Sequence, residues 1–327
     1  MTISALLDTA MDRTIALGYG NVGLAVRRRL PGWPTDPPRM DGRVVLVTGA
    51  ASGLGLAAAT GFARLGASVR ALARSGERAD QAANAVREAV PDGDVQPVAC
   101  DLSDLAQLLR FTSDFAAREA RLDVLVNNAG VMPDDRERSA DGHELTFATN
   151  VLAPFALITG LADLLKRSAP ARVINVTSGG MYAQSLPVGD WESHGSEYGP
   201  QKFYARSKRE LMALTELGAR RLQGSGVVVH AMHPGWADTG GVQTAMPVFR
   251  RVAGPILRTP EQGADTIVWL GGAAEALQST GRLWQDRRPR PTHYLLGASA
   301  QSPEAGAELW RYCEAQVEAV QRGGSAV

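Results

Sequence analysis

A tyrosine and a lysine four residues apart, in Tyr204-Ala-Arg-Ser-Lys208, are the pair in this chain best suited to moving a proton. On a helix the two side chains share one face, so the ammonium of Lys208 can sit near the Tyr204 hydroxyl and favour its ionised form. A free phenol, with a pKa of about 10, is a poor acid or base near neutrality, and such help would let it act as one. The same spacing occurs at Tyr198 and Lys202, but Pro200 lies between them and disrupts a helix through that pair. Tyr204 leads instead into Leu211, Leu214, Leu217 and Leu222, a helical run. Tyr204 is therefore the expected acid/base and Tyr198 a loop residue.

Far upstream, Arg43 to Thr48 (RVVLVT) reads as a short buried strand. It runs into Gly49-Ala50-Ala51-Ser52-Gly53-Leu54-Gly55 and then an alanine-rich helix. Such a turn brings backbone N–H groups and a helix N-terminus up to a pyrophosphate, and glycine lets a ligand approach the backbone closely. Gly49, Ser52, Gly53, Leu54 and Gly55 would line that approach; an ordinary tight loop is the alternative. The second strand, Ala67 to Ala73, ends at Arg74-Ser75 with no acidic residue to bond the 2′-hydroxyl of NAD. An arginine there accommodates the 2′-phosphate of NADP. NADP(H) is favoured and NAD(H) still allowed, unless Arg74 simply faces solvent.

With T-G-x-x-x-G-x-G from Thr48 to Gly55, N-N-A-G from Asn127 to Gly130, Ser178, and Y-x-x-S-K at Tyr204, all in order, the chain resembles the short-chain dehydrogenase/reductase (SDR) family. The resemblance covers about Gly42 to Leu295. Tyr204 follows Ser178 by 26 positions, long for the family, and the gap carries Asp190-Trp191-Glu192. That resembles the retinol-dehydrogenase-like branch. S-G-G-M at Ser178 to Met181, H-P-G-W-A-D-T at His233 to Thr239, A-M-P at Ala245 to Pro247 and Q-D-R at Gln285 to Arg287 are similar to one orphan subgroup of that branch.

The resemblance implies a four-residue catalytic site. Asn150, in F-A-T-N, would interrupt its helix and hold a water linking Lys208 to solvent. Ser178 would hydrogen-bond the substrate oxygen, Tyr204 would exchange a proton with it, and Lys208 would also hold the nicotinamide ribose hydroxyls. Further cofactor contacts are implied for Asp101 and Leu102, for Asn128, Ala129 and Gly130, for Pro234 and Gly235 closing over the nicotinamide, and for Thr239 at its amide. The second basic residue that many NADP-preferring relatives carry in the glycine motif is missing, Ala51 standing there. Hydride transfer needs a donor to the developing oxyanion, a proton source and a cofactor held in line, which this set supplies.

The elements that must position these groups follow from pattern. Strands are expected near 43–48, 67–73, 96–100, 122–127, 171–177, 226–232 and 281–285, and helices at 53–65, 78–89, 103–119, 142–167, 203–223 and 260–271. This alternation implies an α/β fold, a Rossmann-type doubly wound parallel sheet of about seven strands with its site at the carboxyl ends. The expected organisation is a helical extension over 1–41 with a connector from Pro31 to Pro38, a catalytic domain over 42–295, and a second helical extension over 296–327. The last of these starts at Ser302-Pro303-Glu304, with Trp310, Cys313 and Val317 on one apolar face.

Acidic and basic residues balance at 34 each in 327 residues, so no attraction to nucleic acid is expected. Cys100 and Cys313 lie far apart and read as reduced thiols, and neither they nor His230 and His233 form a metal-ligand pattern. This fits a cytoplasmic enzyme, in which a homodimer or homotetramer is allowed. Residues 2–30 place Ile3, Leu7, Met11 and Ile15 at four-residue steps, but Asp8, Asp12 and Arg13 interrupt them, so the segment neither spans a membrane nor reads as a secretory signal. It would either touch an anionic membrane surface peripherally or pack on its own domain or a second subunit. After Thr239, Val242, Met246, Pro247, Val248 and Phe249 precede Arg250 and Arg251. In the resembling family this region folds over the substrate, which implies a lipophilic carbonyl or alcohol. Two other classes share the fold. A non-catalytic NADP(H) sensor or scaffold usually loses part of the four-residue set, which this chain keeps. The sugar-nucleotide epimerases have a glycine spacing that Gly49, Gly53 and Gly55 do not match.

Overall fold

The computed structural model describes residues 3–14, 18–238, 254–294 and 302–324. At its centre lie β1 (Val44–Thr48), β2 (Ser68–Ala73), β3 (Val95–Ala99), β4 (Val124–Asn127), β5 (Ala171–Val176), β6 (Val227–Met232), β7 (Leu283–Gln285) and β8 (Arg288–Arg290). They form one sheet in the order β3-β2-β1-β4-β5-β6-β7-β8. The strands from β1 to β7 pair in parallel, and only β8 is antiparallel to its neighbour. β1 shows why the short apolar runs became strands: Val44 and Leu46 enter one core while Val45 and Val47 enter the other, as a strand covered on both faces requires. Helices Gly53–Arg64, Gly76–Ala89 and Pro260–Gly272 pack on one face; Leu105–Arg118, Pro200–Arg221 and Pro303–Gly324 pack on the other. Strand order reverses between β1 and β4, which opens a crevice at their carboxyl ends.

Three expectations need correction. The helix expected over 142–167 is broken into Leu145–Phe147, a π-helical turn at Ala148–Leu152, and helices Ala153–Gly160 and Ala162–Arg167. The helix expected from 203 starts at Pro200, whose missing N–H costs nothing at a first-turn position. An eighth strand, β8, also closes a tight hairpin through Asp286 and Arg287.

The amino-terminal segment reverses the reading of its polarity. Its helices, Ile3–Arg13 and Asn21–Arg29, bury Asp8 and Asp12, each 6% exposed, and leave Leu6 and Leu7 half exposed. Asp8 Oδ1 accepts from Arg27 Nε at 2.8 Å and Asp8 Oδ2 from the Arg290 guanidinium at 2.9 Å. Asp286 accepts from Arg27 at 2.5 Å and from Arg258 at 2.6 Å. The carboxylates that interrupt the apolar spacing therefore face inward, onto the β7–β8 hairpin. At the other end Ser302 Oγ accepts from Ala305 N at 3.2 Å, Trp310 packs edge-on to Phe155 with centroids 4.9 Å apart, and Cys313 is buried. Cys100 is likewise a buried free thiol. Among the described residues, no helix is long and apolar enough to cross a membrane.

Candidate active site

The glycine turn sits at the crevice between β1 and β4. Gly49 takes φ +66°, and a Cβ there would lie 2.9 Å from Ala129 Cα. Thr48 knits the two strand ends together: its hydroxyl donates to Val126 O and accepts from the backbone N–H groups of Asn128 and Ala129 at 2.9 and 3.0 Å. The Asn128 side-chain amide donates to Thr48 O at 2.9 Å, so that side chain holds the turn in place. Ser52 starts the helix Gly53–Arg64 without a side-chain capping bond. The first turn, with the N–H groups of Gly53, Leu54 and Gly55, therefore starts without a side-chain cap, as an anion site at a helix start needs.

Arg74 and Ser75 follow directly on β2, and both are exposed. Ser75 Oγ caps the next helix by accepting from Arg78 N at 3.4 Å. Asp101 Oδ1 accepts from Ser103 N and Oγ at 2.9 and 2.8 Å, fixing the turn after β3, and Leu102 is buried beside it. Pro234 and Gly235 follow β6. Thr239 and the apolar segment from Val242 to Arg251 lie outside the described residues.

Tyr204 and Lys208 stand on one face of the helix Pro200–Arg221, as their spacing required. Tyr204 faces the turn that Ser178 begins, close enough for the Ser178 hydroxyl to act on the phenol. Ser178 begins a short 3₁₀ turn, Gly179–Ala183, after β5, and its Oγ accepts from Gly180 N at 3.2 Å. Lys208 is buried, its Nζ donating to Val176 O at 3.0 Å and lying 5.4 Å from the Tyr204 ring centroid. Thr177 Oγ1 secures the same helix by donating to Lys208 O at 2.9 Å.

Asn150 occupies the π turn. Its Oδ1 accepts from Val131 N at 2.9 Å, and its Nδ2 donates to Val131 O at 3.1 Å and to Ser207 Oγ at 2.9 Å. Ser207 in turn donates to Tyr204 O at 2.8 Å, linking the two helices behind the site. A Cβ on Gly130 would come within 3.2 Å of both Asn150 Oδ1 and Lys208 Nζ, so this exposed glycine keeps open the space that the two groups share. Tyr198, the competing tyrosine, lies before the helix and donates to Pro133 O at 2.6 Å.

Burial dominates the electrostatics of both groups. Burial pushes the Tyr204 phenol up to about 12, and the influence that opposes it is the Ser178 hydroxyl. Burial pulls Lys208 down to about 8. In the free chain the cost of removing a phenolate from water outweighs the help that the nearby ammonium gives it. The long stretch between Ser178 and Tyr204 is pinned by Glu192. Burial would raise this carboxyl, yet bonds from His143, Tyr312 and Glu144 N hold it at about 2.

These features match those of known proteins. Residues 43–247 match the family model for short chain dehydrogenases, and the chain belongs to the short-chain dehydrogenase/reductase family. It is an oxidoreductase of the NAD(P)-dependent kind that defines that family. It is 40% identical over 267 residues to human "Dehydrogenase/reductase SDR family member 12", covering 81% of this chain and 83% of that one. Over 298 residues it is 35% identical to mouse "Retinol dehydrogenase 14", covering 86% and 88% of the two chains. Among solved structures, the Pseudomonas aeruginosa RhlG/NADP active-site complex superimposes with a TM-score of 0.62 at 28% identity, covering 75% of this chain and 94% of that one.

Sequence reasoning missed one residue beside this site. Tyr19, from the amino-terminal segment, is 5% exposed and stands next to Gly179 and Gly235. The local signal was the pair of glycines flanking it in Gly18-Tyr19-Gly20, which only the folded contacts explain.

Proposed function

We propose that this chain interconverts a carbonyl and an alcohol by hydride transfer with NADP(H), Tyr204 serving as general acid and base. The observation that carries the proposal is that Tyr204 and the buried Lys208 share one helix face, the ammonium 5.4 Å from the ring centroid, beside the turn that Ser178 begins after β5. The space that Gly130 leaves beside Lys208 and Asn150, and the uncapped helix start at Ser52, fit a dinucleotide. When bound, the cofactor supplies the hydride.

The rest is the work of the chain's own groups. Ser178 donates a hydrogen bond to the substrate oxygen as negative charge builds on it. The Tyr204 phenol, kept protonated by burial, gives its proton to that oxygen; an alkoxide is a far stronger base than a phenolate, so the transfer is downhill even from a phenol raised to about 12. Lys208 holds positive charge below about pH 8 and offers N–H groups to the ribose hydroxyls. Asn150, with both ends of its amide engaged, keeps the π turn open beside Lys208 for a water that returns the proton. Arg74 favours NADPH by meeting its 2′-phosphate at the rim. A lipophilic substrate is supported by the name of the retinol dehydrogenase relative.

The test is NADPH and NADH titration followed by a carbonyl panel. Tyr204→Phe should abolish turnover and leave NADPH affinity within about twofold, Tyr198→Phe should be mild, and Arg74→Ala should weaken NADPH by roughly tenfold more than NADH. NADPH binding with no turnover of any carbonyl by the native chain would favour a non-catalytic sensor instead.

A further inference from the structure

Tyr19 connects the amino-terminal segment to two loops of the site. Its ring lies against Gly179, the residue after Ser178: a Cβ at that glycine would sit 2.7 Å from Tyr19 Cε2. The same ring meets His233 edge-on, with centroids 4.8 Å apart, and Trp236 at 6.2 Å. The backbone is engaged as closely, since Trp236 N donates to Tyr19 O at 2.8 Å and a Cβ on Gly235 would lie 2.5 Å from that oxygen. One residue from outside the sheet thus packs on the turn that carries Ser178 and on the turn that follows β6.

Tyr19 is in turn held rigidly. The carbonyl of Gly18 accepts from Arg27 at 2.6 Å, from Gln285 at 3.1 Å and from Arg258 at 3.2 Å. Gly20 O accepts from Arg258 Nε at 3.2 Å.

We infer that Tyr19 is a positioning residue of the active site, a wedge that sets the distance between the Ser178 turn and the Pro234–Gly235 turn. This rests on the assignment of Ser178 and Tyr204 made above. A side chain at Gly179 would take the volume of the Tyr19 ring, while Gly235, at φ +74°, is closed to one by the Tyr19 carbonyl oxygen and the Arg258 guanidinium together. Reacting groups displaced by about 1 Å can lose roughly 100-fold in rate, so the wedge acts through the geometry of Ser178 without touching the substrate.

A coupling experiment tests this. Tyr19→Ala should lower kcat by roughly 10- to 100-fold while KM moves much less, and Tyr19→Phe, which keeps the ring, should recover most of the loss. Gly179→Ala should be damaging in the native background, where its methyl meets the ring, and nearly silent in Tyr19→Ala, where the space is vacated. Independent, additive effects of the two substitutions, or full activity in Tyr19→Ala, overturn the inference. Amide hydrogen exchange at Gly180 and Trp236 gives a readout that needs no substrate. Faster exchange in Tyr19→Ala at these two amides, with the strands unchanged, supports the wedge, and unchanged exchange sinks it. Failure of the native chain to reduce any carbonyl would count against the proposed function alone.

Discussion

Tyr204 and Lys208 are shifted in opposite directions by the same cause, and the shifts divide the work between them. Burial takes the phenol up to about 12 and the ammonium down to about 8. Below pH 8 both carry their protons, the state a carbonyl reductase needs before it gives one away. Above pH 8 Lys208 loses its charge, and the site loses the cation that stabilises a phenolate formed in turnover. Carbonyl reduction should therefore be level from about pH 6 to 7.5 and fall through 8, while alcohol oxidation, which must first remove a proton from the phenol, should rise over the same range. Profiles of kcat/KM in both directions check this, and a reduction rate that climbs from pH 7 to 9 would contradict it. Bound cofactor adds charge of its own, so the midpoint measured for cofactor binding to the free enzyme is the one to compare with Lys208.

At the scale of elements, the amino-terminal helices present two faces with different tasks. Asp8, Asp12 and Arg27 turn inward, while Leu6, Leu7, Val22 and Val26, four of the five large apolar residues most exposed in the described chain, turn outward with Arg28 and Arg29. Peripheral contact with an anionic bilayer is a proposal that this exposed leucine and valine beside arginine support. Sedimentation with phosphatidylserine vesicles should retain the native chain, and Leu6→Glu with Leu7→Glu should release it with kcat unchanged. Native protein that stays in the supernatant at low salt would refute the contact. Removing residues 1–30 is a poor test, because it also removes Arg27 from Asp286 and Tyr19 from Gly179. The sequence alone made the strands, the glycine turn and the Tyr204 helix readable, because each is a local pattern of apolar spacing and turn residues. The interruption at Asn150 came from the family resemblance, and its form, a π turn tied to Val131, depends on a neighbour in space. Two features escaped the sequence. The β7–β8 turn uses Asp286 and Arg287 at φ 53° and 56°, with none of the glycine or asparagine that marks such turns. The inward aspartates look like a solvent face until Arg290, almost the whole chain away, is placed beside them.

Over the whole molecule, the carboxylate of Asp286 joins the amino-terminal segment, the loop after β6 and the sheet edge, because Arg27 and Arg258 both bond to it and are 0% and 2% exposed. Burial alone would raise this carboxyl, but Arg258 and Arg27 hold it below the usual carboxylate range. A lowered pKa means that its contribution to stability is present above about pH 4, the unfolded value, and is lost as pH falls through the folded one. Its backbone works in the other direction, since a left-handed φ at a non-glycine residue costs about 1 kcal/mol or more. Asp286→Gly relieves that strain but leaves two guanidinium groups buried without their shared partner, a loss of about 3–5 kcal/mol. The pairing term is the larger, so Asp286→Gly should be destabilising by about 2–4 kcal/mol. Asp286→Asn, which tolerates the same backbone and keeps the shape, should fall in the same range because charge is what it lacks. Urea denaturation at neutral pH gives the comparison, with Arg39→Ala as control, since the Arg39–Asp41 pair is 65% and 64% exposed and its removal should leave the midpoint unchanged. Should Asp286→Gly match or exceed the native midpoint, the hairpin strain outweighs the charges, and the amino-terminal segment is held by something other than Asp286.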